Sequence, residues 1–235
     1  MTTNTSNTLS IGVIGLGAMG KGMASSLRRA GHHVSVCDVR FDAAEAFAKE
    51  GGTAYKTPAD LAKQVDIIVS VVVNADQTEQ VLFGEHGAAA HLKAGSLFIM
   101  CSTVDPNWSV ALEKRLNEMG LLYLDAPISG GAAKAASGQM TMMTSGQDAA
   151  YAKAGNALES MAANVYKLGD RAGYGSKVKI INQLLAGVHI AAAAEAMALG
   201  LREGVAADAL YEVITNSAGN SWMFENRMAH VLKGD

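Results

Sequence analysis

The stretch Ile11-Gly-Val-Ile-Gly-Leu-Gly-Ala-Met-Gly-Lys-Gly-Met-Ala-Ser-Ser-Leu-Arg-Arg-Ala-Gly31 decides the fold. A short apolar strand at 11–14 enters Gly15-x-Gly17-x-x-Gly20, and a helical pattern comes next. In such a turn the first glycine permits the bend, the second lets backbone approach a pyrophosphate, and the third lets helix pack on strand. The helix start aims free N–H groups and the positive end of its dipole at the phosphates. A second strand at 34–37 ends in Asp38. An acid there accepts hydrogen bonds from an adenosine ribose and repels a 2′-phosphate, which favours NAD over NADP.

Working outward, strand and helix signals alternate as far as residue 168. Apolar strands are expected at 11–14, 34–37, 53–55, 65–73, 97–100, 121–125, 141–145 and 164–167. Helical patterns lie between them, and Thr57-Pro58 and Asp105-Pro106 each read as a cap followed by Pro at the first helical position. Near-continuous apolar strands separated by helices predict a doubly wound parallel sheet. The texture changes after Asp170. Gly173-Tyr-Gly175 breaks the chain, 177–203 reads as one long helix, and Ser176 is placed to cap it. That helix is apolar nearly all round and is expected to be central and buried. Short helices are expected at 208–216 and 222–232, the latter capped by Ser221. The domains are drawn as 1–172 and 173–235.

Composition narrows the function classes. Of 235 residues, 49% are hydrophobic and the formal net charge is −3, with no Lys/Arg run to suggest a nucleic-acid surface. Residues 1–9 are polar and carry no secretory signal pattern. His189 and Glu195 interrupt the apolar stretch 184–201, which is Ala-rich; it reads as a core helix rather than a membrane span. A cytoplasmic protein is expected. Cys37 and Cys101 end strand-like runs and read as buried, reduced thiols. The six histidines show no metal-ligand spacing, and no metal is expected.

Three further segments hold candidate chemistry. Asp125-Ala-Pro-Ile-Ser-Gly-Gly131 comes after a strand, and its successive N–H groups with the Ser129 hydroxyl suit a carboxylate; a flexible surface turn is the plainer reading. Lys179, Asn182 and Gln183 stand at i, i+3 and i+4, on one helix face. A lysine in a dry pocket beside a cationic ring is tuned toward base chemistry; taken alone, a snorkelling lysine is the commoner meaning, and Lys177 is read that way. Cys101-Ser-Thr103 sits at the carboxyl end of a strand, where open sheets bind ligands. Thr103 there reaches cofactor or substrate, or else Thr103 or Asp105 caps a helix.

Together these segments resemble the β-hydroxyacid dehydrogenase family, which includes 3-hydroxyisobutyrate, tartronate-semialdehyde and 6-phosphogluconate enzymes. The matches are Gly15-Leu-Gly-Ala-Met-Gly-Lys-Gly-Met-Ala24, Asp125-Ala-Pro-Ile-Ser-Gly-Gly131 and Gly173-Tyr-Gly-Ser-Lys-Val-Lys179. The resemblance implies a Rossmann-type α/β domain followed by an all-α domain with a long central helix. It implies NAD-dependent oxidation of a small 2-hydroxy sugar acid. Lys179 would be the general base. Gly15, Leu16, Gly17, Ala18, Met19, Gly20, Asp38 and Thr103 would hold NAD; Ser129, Gly130, Gly131, Asn182 and Gln183 would hold substrate, with Asn220 to Trp222 a weaker carry-over. Gln183 stands where the family commonly has Asn, a longer amide with the same donors and acceptors. Family members also carry further helices beyond the region that ends at Asp235, so the helical domain is expected to be incomplete, with uncovered apolar faces and self-association into a homo-oligomer. A semialdehyde reductase and a nucleotide-binding protein without turnover are the rival readings.

Overall fold

The computed structural model describes residues 8–234. Six strands form one parallel sheet: β1 (Ser10–Ile14), β2 (His33–Cys37), β3 (Thr53–Ala54), β4 (Ile67–Ser70), β5 (Leu97–Met100) and β6 (Leu122–Asp125), in spatial order β3-β2-β1-β4-β5-β6. The order reverses between β1 and β4, and the carboxyl ends on either side of that switch point open a crevice. The strands are apolar throughout because both faces are covered. Ile67, Val69, Leu97 and Ile99 pack on one side, while Ile68, Phe98 and Met100 pack on the other. Alternating side chains along each strand thus feed two separate cores.

Helices α1 (Gly20–Arg29) and α2 (Phe41–Lys49) connect the first three strands. Three more, α3 (Pro58–Ala62), α4 (Ala75–Phe83) and α5 (Pro106–Glu118), complete the windings as far as β6. Thr57, Asn74 and Asp105 cap α3, α4 and α5 with their side chains. Asp105, and not Thr103, therefore takes the capping role: its Oδ1 accepts from the N–H groups of Asn107 at 2.7 Å and Trp108 at 3.2 Å.

Beyond β6 the chain departs from the expected pattern. The strands anticipated at 141–145 and 164–167 do not extend the main sheet. They appear as β8 (Met140–Thr144) and β9 (Ala162–Lys167), which with β7 (Ile128–Ser129) form a second, mixed sheet of three strands. β8 pairs antiparallel with β7 and parallel with β9 instead, and meets β6 only at an isolated antiparallel bridge between Ser145 and Asp125. Nor is the glycine segment a loose turn: α6 (Gly131–Ser137) starts within it. Helix α7 (Asp148–Ala154) lies against β5 and β6 of the main sheet, whereas α8 (Ala157–Met161) packs on β9.

The long helix α9 (Tyr174–Arg202) starts earlier than expected, so Ser176 lies inside its first turn and is not its cap. Gly175 also lies inside the helix. A Cβ there would stand 2.3 Å from the Met143 carbonyl oxygen and 3.0 Å from that of Asp125, so a glycine lets the helix start press on the ends of β6 and β8. Two compact units divide at Lys179 and Ile180. In the second, α10 (Ala207–Thr215) and α11 (Trp222–Lys233) pack with α9 through Ala193, Met197, Phe224 and Met228. Ser221 caps α11 as expected, its Oγ accepting from Phe224 N–H at 3.0 Å. The expectation of a central buried helix is corrected: Ile181, Leu184, Leu185 and Val188 are exposed, Leu184 by 69%. Beyond Lys179, Ala193 and Met197 are the only buried residues of α9 among the described residues.

Gly175→Ala is expected to destabilise the protein by about 1–3 kcal/mol, the usual cost of overpacking a filled site. Urea unfolding measures it, and an unchanged midpoint would show that the helix start tolerates the extra methyl.

Candidate active site

The glycine turn leaves β1 at the switch point. Gly15 has φ +93°, and a Cβ on it would meet the Val71 carbonyl oxygen at 2.5 Å. At Gly20 a Cβ would fall 1.8 Å from the Gly15 carbonyl oxygen, so no side chain fits. Gly17 is different: it is exposed and has no atom within 4 Å of a would-be Cβ, leaving its backbone open to a ligand. The adjoining helix, α1, has no side-chain cap at Met19 and no acidic residue in its first turn. Its starting N–H groups are thus suited to an anion.

A cleft of about 730 Å³ opens beside this turn, lined by Gly15, Gly17, Asp38, Arg40, Lys56 and Val73 among others. Asp38 is buried at its edge and does more than the sequence suggested. Its Oδ2 accepts from Leu16 N–H at 2.6 Å, and its Oδ1 accepts from Arg40 N–H at 2.8 Å. The acid braces the glycine turn and still has lone pairs for a diol. Lys56 and Val73 carry no sequence signal because no motif marks them. The β4–α4 loop that supplies Val73 is tied down locally. Ser102 Oγ donates to the Val72 carbonyl oxygen at 2.8 Å, and Val73 N–H donates to Gln77 Oε1 at 2.9 Å. Thr103 beside it is exposed at the carboxyl end of β5. Ala18 is exposed and Met19 half-buried on the same turn, whereas Leu16 is buried.

The second cluster gathers where β6 ends. Asp125 is fully buried. Its Oδ2 accepts from the N–H groups of Gly173 and Ser176, both at 2.9 Å, and its Oδ1 accepts from Ser176 Oγ at 2.7 Å. Ser145 Oγ donates to Asp125 at 3.3 Å and accepts from Gly175 N–H at 3.0 Å. Glu113 on α5 takes Ala172 N–H with both carboxylate oxygens at 3.1 Å. Four amide groups around the start of α9 are therefore satisfied by side chains from the first unit. Burial raises the Asp125 and Glu113 carboxyls above the ordinary range, opposed at Asp125 by its bonds from Ser176, Gly173 and Ser145. Glu113 was invisible in the sequence, where it reads as an ordinary polar position of an amphipathic helix.

Lys179 lies three residues after Ser176, on the same face, and is only 7% exposed. Burial pushes its ammonium below the ordinary lysine value. Lys177 points outward, its Nζ 5.0 Å from the centre of the Tyr174 ring, in keeping with a surface role. Ser129 and Gly130 are half-buried and Gly131 is exposed, with φ +141° at Gly130 and +77° at Gly131. Asn182 and Gln183 belong to the second unit, half-buried and exposed respectively. Asn220 there donates from Nδ2 to the Thr215 carbonyl oxygen at 3.0 Å, and Trp222 is exposed. Cys37 and Cys101 are free and buried; burial is the main force pushing their thiols up to about 11 and about 12. No group of metal-ligating side chains occurs among the described residues.

A glycine turn open to an anion at a sheet switch point, together with a buried lysine near the start of α9, is what a nucleotide-dependent dehydrogenase requires. The chain belongs to the β-hydroxyacid, or 3-hydroxyisobutyrate dehydrogenase-like, family. Residues 10–169 match the NAD-binding domain of 6-phosphogluconate dehydrogenase, and residues 173–235 match the NAD-binding segment of NADP-dependent 3-hydroxyisobutyrate dehydrogenase. More particularly, it is 63% identical over 225 residues to the L-threonate dehydrogenase of Cupriavidus necator, covering 96% of this chain and 76% of that protein. The L-threonate dehydrogenase of Escherichia coli K12 is 48% identical over 226 residues, covering 96% of this chain and 75% of that one. A crystal structure of 3-hydroxyisobutyrate dehydrogenase from Salmonella typhimurium superposes with a TM-score of 0.92 at 48% identity, covering 97% of this chain and 79% of that chain. The chain is an NAD-dependent hydroxy-acid dehydrogenase.

Asp38→Ala leaves the buried Leu16 amide without its acceptor. A loss of about 1–3 kcal/mol is expected from one unsatisfied buried donor, measured by denaturant unfolding without coenzyme. Equal stability of the variant would mean that the turn does not depend on this brace.

Proposed function

We propose that the chain oxidises L-threonate at C2 to the 2-oxo acid with NAD. The observation that carries the substrate assignment is the 63% identity, over nearly the whole chain, to a protein named for that reaction. The residues present suit the chemistry. NAD, when bound, supplies the hydride acceptor. Lys179, held in a dry setting that weakens its grip on a proton, takes the proton of the C2 hydroxyl. Ser129, Gly130 and Gly131 hold the substrate carboxylate through hydroxyl and backbone N–H groups. Asn182 and Gln183 supply amides to the substrate hydroxyls. Gly15, Leu16, Gly17, Ala18, Met19 and Gly20 cradle the pyrophosphate, Asp38 accepts from the adenosine ribose, and Thr103 lies near the nicotinamide ribose.

The boundary between nucleotide and helical domains falls at 172/173. By length and composition α9 is apolar enough to cross a bilayer. The relatives that match along it are named as dehydrogenases, which supports a cytoplasmic enzyme. The exposed apolar side chains of α9 support a homo-oligomer formed through the helical region.

Substrate choice, a variant and a pH profile test this reading. L-threonate with NAD should be turned over in preference to tartronate semialdehyde with NADH, and the reverse preference would make the protein a reductase of semialdehydes. Lys179→Ala should lower kcat/KM by about 10²–10⁴-fold, the range for a lost general base, while NADH affinity holds. In the wild-type protein kcat/KM should climb with pH as Lys179 loses its proton, with a midpoint below the ordinary lysine value of 10.5 because burial disfavours the ammonium. Asp38→Ala should also move coenzyme choice toward NADP, read as the ratio of the two kcat/KM values.

A further inference from the structure

We propose that Asp125 is a positioning residue for Lys179: its carboxylate fixes the first turn of α9 and thereby sets how the lysine amine meets the loop of Ser129, Gly130 and Gly131. The inference rests on the reading of Lys179 as the base. Its ground is the geometry at the end of β6. One buried carboxylate receives two amide N–H groups and one hydroxyl from Gly173 and Ser176, all within 2.9 Å. Ser176 and Lys179 are one turn apart on the same helix face, and both are buried, whereas Lys177 and Val178 between them are exposed. A rotation of this turn that freed Ser176 from Asp125 would carry Lys179 out of its buried setting. Asp125 is also the last residue of β6, and the chain leads from it directly into Ile128–Ser129. The proposed base and the proposed carboxylate loop are thus rooted on one side chain.

Glu113 on α5, Cys101 after β5, Tyr123 on β6 and Tyr151 on α7 interact with Asp125, and Asp170 and Arg171 act on Glu113. Burial weakens the Lys179 ammonium, and that buried setting is what Asp125 controls. An asparagine at 125 can keep the geometry. Its Oδ1 accepts from the Gly173 and Ser176 amides, and its NH₂ donates to Ser176 Oγ, since a hydroxyl serves either way.

The test uses the full chain and the variants Asp125→Ala, Asp125→Asn, Ser176→Ala and Lys179→Ala. Turnover of L-threonate is expressed per NADH-binding site. The ionisation of Lys179 is followed separately by NMR of ¹³C-lysine-labelled protein, its signal assigned by its loss in Lys179→Ala. In Asp125→Ala, kcat per site should fall at least about tenfold, a modest part of what a misplaced base costs. The Lys179 titration should move up toward the ordinary lysine value as the amine gains water, and Asp125→Asn should return both toward wild type. If Asp125→Ala does not fold, Ser176→Ala, which removes one of the bonds, should show the same two changes at smaller size. A lower melting temperature with unchanged kcat per site and an unchanged lysine titration, in Asp125→Ala or in Ser176→Ala where it stands in, would overturn the proposal and leave Asp125 a structural peg. Full turnover in Lys179→Ala would instead overturn the base assignment, while the lysine titration would still judge Asp125.

Discussion

A helix start cannot satisfy its own first amide groups, and in α9 that deficit is met from inside the protein. Asp125, Ser145 and Glu113 receive the N–H groups of Ala172, Gly173, Gly175 and Ser176, where water or a local cap serves most helices. The dipole of a long helix favours negative charge at this end, which helps two carboxylates remain in a place that burial makes costly. The arrangement demands Gly175, because only a residue without Cβ lets the helix start lie against the Met143 carbonyl.

At the other site the logic is one of open space rather than contact. Gly15 and Gly20 are forced by crowding, but Gly17 has no neighbour where a side chain would stand, and α1 has no capping side chain. The turn is braced by Asp38, which accepts from Leu16 N–H, and by Gly15 N–H, which donates to the Cys37 carbonyl oxygen. The two sites stand at the carboxyl ends of strands of the same sheet, β1 and β2 on one side of the switch point and β6 on the other. Their chemistry is complementary: one offers amide groups to an anion, and the other shelters an amine from water.

Much of this was legible in the residues because period and punctuation agree. The main sheet can be read from apolar runs broken by helical spacing, and its binding turn from three glycines after a strand. The second sheet was not legible, since β7 is two residues long and no pattern separates it from a turn. Likewise Gly130-Gly131 advertises a loop and conceals the helix α6 that it opens. The partnership of Asp125 with Gly173 and Ser176 spans 48 and 51 residues, and a sequence records neither end's choice of partner. Glu113 contacts Ala172 across 59 residues and leaves no local trace. For α9 the apolar pattern pointed to burial, and only the resemblance implied uncovered apolar faces. Hydropathy states which faces are unfavourable in water, and Leu184 at 69% exposed shows that it does not state what covers them.

The double duty of Asp38 carries a lesson for redesign. On the proposed reading of Asp38, an engineer wishing to swap this catalyst to a phosphorylated coenzyme would remove the acid proposed to repel it, and with it the acceptor holding Leu16 in place. A useful exchange therefore needs a replacement oxygen of similar reach, a serine or threonine hydroxyl for instance, so that selectivity and loop rigidity are altered one at a time. Arg40, already at the rim of the cleft, supplies the cation such a switch requires.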